Sequence, residues 1–331
     1  MQIFIETSGR CNLACRFCAY PKQETPGVFM PTERFREVLA QATAMGFRHI
    51  GLTPMLGELF ADPTIFDKFE ALEADPQVES YLFYSNLVLP DEGGMRKVAA
   101  LSKLSELHVS VYGHDRESFC AITRKPARQY ERLLSNLRVL DILARETGIG
   151  ARLHFSIRTL GGITRGTLPD TEITRLIFSM ADEHGAVLDV AEYYDTWGGT
   201  VLPEDVEPVG IELTPGSAIY KAGACGLIFG SIQIKADGIV HACACRDVDG
   251  SLRLGHLDDA PLNEILSLDN EKYRTLIEDQ HAGRFTENCR SCSMYSSILD
   301  DRPRKFAPPH IRYLELDEAL EVIGGEPKRT S

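Results

Sequence analysis

The sequence predicts an α/β fold: a partial, TIM-like (β/α)6 barrel followed by a small cysteine-rich module built from a β-hairpin and a helix. Three observations carry this expectation. Short β-branched or aromatic runs alternate with longer stretches of helical period as far as about residue 197. A Pro- and Gly-rich stretch, "WGGTVLPEDVEPVGIELTPGSA", then breaks the pattern over residues 197–218. Beyond it the chain carries hairpin and cysteine signals.

Taken in order, "IFIET" reads as the first strand and "TERFREVLAQATAMG" as the helix after it. The same pairing repeats in "HIGLT" with "PTIFDKFEALEAD", "SYLFYSN" with "MRKVAALSKL", "ELHVSVYG" with "QYERLLSNLRVLDILARETG", and "ARLHFSIRT" with "DTEITRLIFSMADEHG". "VLDVAEYY" supplies a sixth strand. Strands joined by connections of helical length pair in parallel, and six units fall short of the eight that close a barrel. We therefore expect a barrel over 1–200, a linker over 201–222, the small module over 223–297 and a tail over 298–331. In the module, two β-rich runs flank "ADG" in "SIQIKADGIVHACACR", a hairpin signal. A helical piece, "PLNEILSLDNEKYRTLIEDQHAG", then leads to "NCRSCSMY".

Composition narrows the function classes. The chain has 331 residues, 44% of them apolar, enough for about two packed domains. Its net charge of −13, from 48 acids and 35 bases, repels phosphate backbones and favours a cationic or amine-bearing small molecule over nucleic acid. No run approaches the roughly 20 apolar residues of a membrane span, and "MQIFIETSGR" lacks the features of a signal peptide. A cytoplasmic chain with no membrane partner is expected. Cysteines stand at 11, 15, 18, 120, 225, 243, 245, 289 and 292, in two clusters with Cys120 apart. Clustered thiols without a secretion signal usually bind metal or react, and seldom form a disulfide framework.

Cys11, Cys15 and Cys18 follow the first strand, in a loop at the strand end where α/β barrels build active sites. Three thiolates are one short of the four that close a structural site, and an unfilled position is what catalysis requires. A three-cysteine zinc site completed by His49, or thiols packed as small hydrophobes, are the alternatives. The Cys-x3-Cys-x2-Cys spacing, with Phe17 before the last cysteine, resembles the signature of radical S-adenosylmethionine (SAM) enzymes. That resemblance implies a [4Fe–4S] cluster held by three cysteines, whose fourth iron binds the amino and carboxylate groups of SAM. An external one-electron donor such as flavodoxin or ferredoxin reduces it, and cleavage of SAM yields a 5′-deoxyadenosyl radical that takes hydrogen from substrate. It also implies cofactor contacts from Phe17 and Tyr20. "TPMLGELFADP" looks like the family's Gly-Gly-Glu-Pro segment: Gly57 and Glu58 match, whereas Leu56 and Leu59 replace the usual Gly and Pro. Ser85 and Asn86 are similar to the polar pair ending the family's third strand, Ser110 is suited to the ribose hydroxyls, and Arg158 to the cofactor carboxylate. The residue types fit the task, since a zwitterionic amino acid needs a carboxylate for its ammonium and a guanidinium fork for its carboxylate.

Cys225 and Cys243 bracket the hairpin, while Cys289 and Cys292 form a Cys-x2-Cys. Four such ligands close a site, and alone they suit structural zinc as well as iron–sulfur. Beside the first cluster they resemble the twitch module, a shortened SPASM extension that binds one auxiliary [4Fe–4S] cluster, which makes two clusters in all. Cys245 is then an extra thiol: an alternate ligand, a packed neighbour or a hydrogen-atom donor. Cys120 falls on a helix and reads as a core residue.

The resemblance implies hydrogen abstraction from a substrate C–H bond. Oxidation of a secondary alcohol on an aminocyclitol or amino sugar is the leading reading, with the auxiliary cluster as electron acceptor and Asp189, Glu192 or Asp195 as base. Epimerisation, with Cys245 or Cys120 returning hydrogen, is the second. Peptide maturation is the third; a leader-binding domain is not expected, because the first strand begins at Ile3.

Overall fold

The computed structural model describes residues 2–23, 27–52, 55–244, 246–248 and 250–299, together with Leu316 and Leu320. Cys245 and most of the expected tail lie outside the described residues.

Strands β1 (Gln2–Ile5), β2 (His49–Leu52), β3 (Ser80–Ser85), β4 (Leu104–Tyr112), β5 (Leu153–Arg158) and β6 (Val187–Val190) stand side by side in chain order, all parallel. Helices α1 (Thr32–Ala44), α2 (Ile65–Ala74), α3 (Glu92–Ala99), α4 (Arg116–Thr123), α5 (Ala127–Thr147) and α6 (Glu172–His184) make the connections. Right-handed crossovers in sequential order place every helix on one face, so the sheet curls and its other face becomes the lumen of an incomplete barrel. Side-chain alternation follows. On β5, Leu153, Phe155 and Ile157 are buried against the helices, whereas His154, Ser156 and Arg158 take the half-buried lumen positions.

The expected strand "VLDVAEYY" divides: β6 ends at Val190, and Tyr194–Asp195 forms β7, which pairs in parallel with β8 (Leu213–Thr214) in a separate small sheet. The stretch expected as a linker is thus folded, and it also holds α7 (Pro203–Val206). Its Pro and Gly residues mark turns between very short elements, a pattern that composition alone does not separate from a linker.

The hairpin forms as expected, with β9 (Gln233–Ile234) and β10 (Ile239–His241) turning at Gly238, whose φ of 92° favours glycine. It gains a third strand, β11 (Arg253–His256). These strands do not form a sheet of their own. β9 pairs in parallel with β1, so among the described residues one nine-stranded sheet runs β11-β10-β9-β1-β2-β3-β4-β5-β6. Helices α8 (Leu227–Gly230), α9 (Leu262–Ile265), α10 (Glu271–His281) and α11 (Glu287–Ser291) complete the module.

One buried ion pair fastens the segment after β2. Lys68 on α2 meets Asp62 with both side chains at 0% exposure, and Asp62 also accepts from the Thr64 N–H and hydroxyl at 2.9 Å each. Removing one partner strands a buried charge, so Lys68→Ala is expected to cost about 3–5 kcal/mol in denaturant unfolding. The paired change Lys68→Met with Asp62→Leu is expected to cost much less.

Candidate active site

The cysteine loop leaves β1 and returns to it. An antiparallel bridge joins Ser8 to Phe29, and the backbones of Gly9 and Gly27 touch so closely that a Cβ on Gly27 would lie 1.9 Å from the Gly9 carbonyl oxygen. Its far side rests on the end of α4: the Ala14 and Arg16 N–H groups donate to the carbonyls of Thr123 and Ile122, at 3.1 and 3.0 Å. Cys120, on α4, is half-buried and packs against the core. His49 opens β2 opposite Gln2, at the strand ends remote from this loop, so it does not complete a site with these thiols.

Cys11, Cys15 and Cys18 are unbridged thiols, and their charges act on one another. Backbone N–H groups of Leu13 and Tyr20 approach the sulfurs of Cys11 and Cys18, each at 3.4 Å. Burial, then the nearby Glu58 carboxylate, pushes Cys11 up to about 12. Burial raises Cys18 to about 11 against the pull of the Tyr20 N–H and of the Arg246 and Arg158 guanidinium groups, and burial likewise pushes Cys15 well above the usual thiol range. Thiols so placed stay neutral at pH 7 by themselves; a bound metal ion is what turns such groups into thiolates. Phe17 is buried against Tyr112 and Tyr194, ring centroids 5.4 and 5.3 Å away.

Glu58 lies beside Cys11 and is 2% exposed. Its carboxylate accepts from Ser85 Oγ at 2.6 Å, the Asn86 N–H at 2.8 Å and the Phe60 N–H at 3.3 Å. Ser85 and Asn86 therefore hold the glutamate, and Asn86 also donates to Asn12, next to Cys11, at 2.9 Å. Burial lifts the Glu58 carboxyl to about 7, and among the described residues no cation pairs with it. Arg158 sits at the end of β5 beside Cys15 and Cys18, 3.5 Å from Ser110 Oγ, and no acid among the described residues pairs with it. A buried carboxylate without a cation and a guanidinium without a carboxylate flank three thiols. Such a set fits a zwitterionic amino acid bound beside a metal centre. Gly57 is half-buried just before Glu58.

The second set gathers around Gln280, which is fully buried on α10. Its Oε1 accepts from the Cys225 N–H at 3.0 Å and its Nε2 approaches the Cys289 sulfur at 3.4 Å. Burial, then the neighbouring Cys243, raises Cys225 far above the thiol range, and burial lifts Cys292 to about 11. The charges of Cys243 and Cys292 both reach Cys225, so the four sulfurs share one neighbourhood. Asp247 braces it: paired with His241 at the end of β10, it accepts from the Leu252 N–H at 3.0 Å and from Asn288, next to Cys289, at 3.3 Å.

Several of these residues carry no motif and escape sequence reasoning: Gln280, Asp247, Asn12, and Trp197 and Arg246, which gather on the expected base candidate Asp195. Arg246 lies over the Trp197 ring at 4.3 Å and pairs with Asp195, whose other oxygen accepts from the Trp197 N–H at 2.6 Å. The Arg246 charge acts on both Cys18 and Cys292, so the two thiol sets neighbour a common guanidinium. Asp195 is thus engaged in holding Arg246, and Glu192 is exposed after β6. Asp189 takes a lumen position, opposite Ser156, which in turn faces Ser110.

An incomplete parallel barrel with one set of three thiols and one of four is the frame of an enzyme that carries metal centres. Residues 5–172 match the radical SAM superfamily and residues 225–293 the iron-sulfur cluster-binding SPASM domain, so the chain belongs to the radical SAM superfamily, with SAM and [4Fe–4S] clusters as its cofactors. Among solved structures it resembles BtrN in complex with AdoMet and 2-DOIA (TM-score 0.55, 14% identity, covering 88% of this chain and 92% of that one). It likewise resembles anSMEcpe with bound AdoMet (TM-score 0.54, 14% identity, 88% and 83%). At these identities the likeness is one of fold. No curated protein matches the chain in sequence. Among the described residues, no helix is long and apolar enough to cross a membrane.

Proposed function

We propose that the chain oxidises a secondary alcohol of an aminocyclitol or amino sugar to the ketone. The observation that carries this reading is the second set of four thiols, Cys225, Cys243, Cys289 and Cys292, gathered around Gln280 near the first three. Four protein ligands leave no position for substrate, which suits an electron acceptor. When bound, SAM and the clusters supply the radical that takes hydrogen from carbon and the acceptor for the electron that must follow.

The chain's own residues do the rest. Cys11, Cys15 and Cys18 hold one cluster and leave one iron open; Glu58 receives the methionine ammonium, Arg158 grips the carboxylate, Ser110 meets the ribose, and Phe17, Tyr20 and Gly57 shape the pocket. Asp189 is the preferred base over Glu192. It shares a lumen row with Ser110 two strands away, about 10 Å at the usual strand spacing, and would take the hydroxyl proton as the carbon loses its hydrogen. The acidic chain, at −13, favours a cationic substrate. The reductant is an external one-electron donor, a flavodoxin or ferredoxin. Epimerisation is the second reading, kept by the spare thiol of Cys245 two residues after Cys243.

Three measurements follow. Arg158→Lys loses the bidentate grip and is expected to weaken SAM binding by about 1.5–3 kcal/mol, roughly ten- to a hundredfold in Kd. Because Glu58 titrates near 7, protonation removes the partner of the ammonium, so SAM affinity should fall as pH drops through 7. Glu58→Gln should bind weakly at all pH values and flatten that profile. For the reaction itself, Asp189→Asn should keep SAM cleavage while lowering ketone formation; equal loss of both would remove Asp189 from the base role.

A further inference from the structure

We propose that Glu106, His108 and His154 form a divalent transition-metal site inside the lumen, apart from both thiol sets. Glu106 and His108 are two apart on β4 and so share a face, and His154 on β5 stands directly opposite His108 in the register. That face is the lumen. The alternating residues Leu107, Val109, Leu153 and Phe155 are at most 1% exposed beneath the helices, whereas Ser110 and Arg158 continue the lumen face toward the first thiols. His154 is four residues before Arg158, which at strand rise sets the cluster about 13 Å below the SAM residues.

The donor atoms converge. Glu106 Oε2 lies 2.6 Å from His108 Nε2 and 3.9 Å from His154 Nε2, and one ligand atom from each residue falls within 4.8 Å of the others. Ligands around a four-coordinate metal with bonds of 2.0–2.2 Å sit about 3.4 Å apart, a value these separations bracket. The rings are held: His108 stacks on Tyr84 at 4.1 Å and 10°, and leans on His154 at 4.7 Å. Such support keeps imidazoles aimed before an ion arrives. Two imidazoles and one carboxylate suit zinc or iron(II) better than magnesium or calcium, which prefer oxygen. The side chains remain partly exposed, 21% for His108 and 28% for His154, so an ion has a path in. On binding, the metal takes the place of the hydrogen bond between His108 and Glu106, and three protein ligands leave a coordination position open to the lumen.

The test uses the cluster-loaded protein, equilibrated anaerobically with micromolar free Zn2+ and desalted, with zinc and iron counted per chain by mass spectrometry. The expected result is one zinc per chain that His108→Ala and His154→Ala each lose, with iron content and SAM cleavage unchanged; anomalous diffraction at the zinc edge should place the ion on the two Nε2 atoms. Wild-type protein that retains no zinc would overturn the proposal without any variant, and so would zinc retained equally by both variants, which would locate it on cysteines. Neither outcome touches the assignment of the reaction.

Discussion

Alanine at Cys11, Cys15 or Cys18 is expected to abolish release of 5′-deoxyadenosine and to leave the protein with about half its iron, for a two-cluster chain. The three thiols stand in one loop whose base is closed by the Ser8–Phe29 bridge and whose far side rests on α4. No other cysteine among the described residues enters that loop, so a lost ligand has no substitute there. A serine variant is not expected to rescue, because its hydroxyl is neither a soft ligand nor an easily ionised one. Iron analysis together with chromatography of SAM products reads both effects in one preparation. Full iron content and undiminished cleavage in Cys15→Ala would dismiss the assignment.

The second large effect is a separation of two activities. Cys289→Ala and Cys225→Ala are expected to lose about half the iron yet still release 5′-deoxyadenosine, while ketone formation falls to background. Gln280→Ala should give a milder form of the same phenotype, since Gln280 hydrogen-bonds at both Cys225 and Cys289. The readout is the ratio of ketone to 5′-deoxyadenosine. If ketone and nucleoside fell together, the second set would serve the fold or SAM binding, and not the oxidation.

Much of the barrel was legible because its signal is local. Apolar runs such as "ELHVSVYG" and "ARLHFSIRT" form the expected strands, and the cysteine spacing needs no tertiary information to be read. Despite Leu56 and Leu59, the loop after β2 still brings the Glu58 carboxylate to Ser85 and Asn86. What sequence hid is long-range. The pairing of β9 with β1, which merges the cysteine module's hairpin with the barrel sheet, joins residues some 230 positions apart. Gln280 and Asp247 brace the second thiol set from places with no motif, and Arg246 is one ordinary basic residue until Asp195 and Trp197 close on it. Tyr194 illustrates the limit of periodicity: it reads as part of the sixth strand, yet a short bend after Val190 carries it into a second sheet and against Phe17.

The most direct test of the central claim is product mass after anaerobic turnover of the reduced, cluster-loaded protein with SAM and a panel of aminocyclitols and amino sugars. The expected product is two mass units lighter than its substrate and forms in step with 5′-deoxyadenosine. A product of unchanged mass in light water that gains one unit in heavy water would contradict dehydrogenation and establish epimerisation in its place.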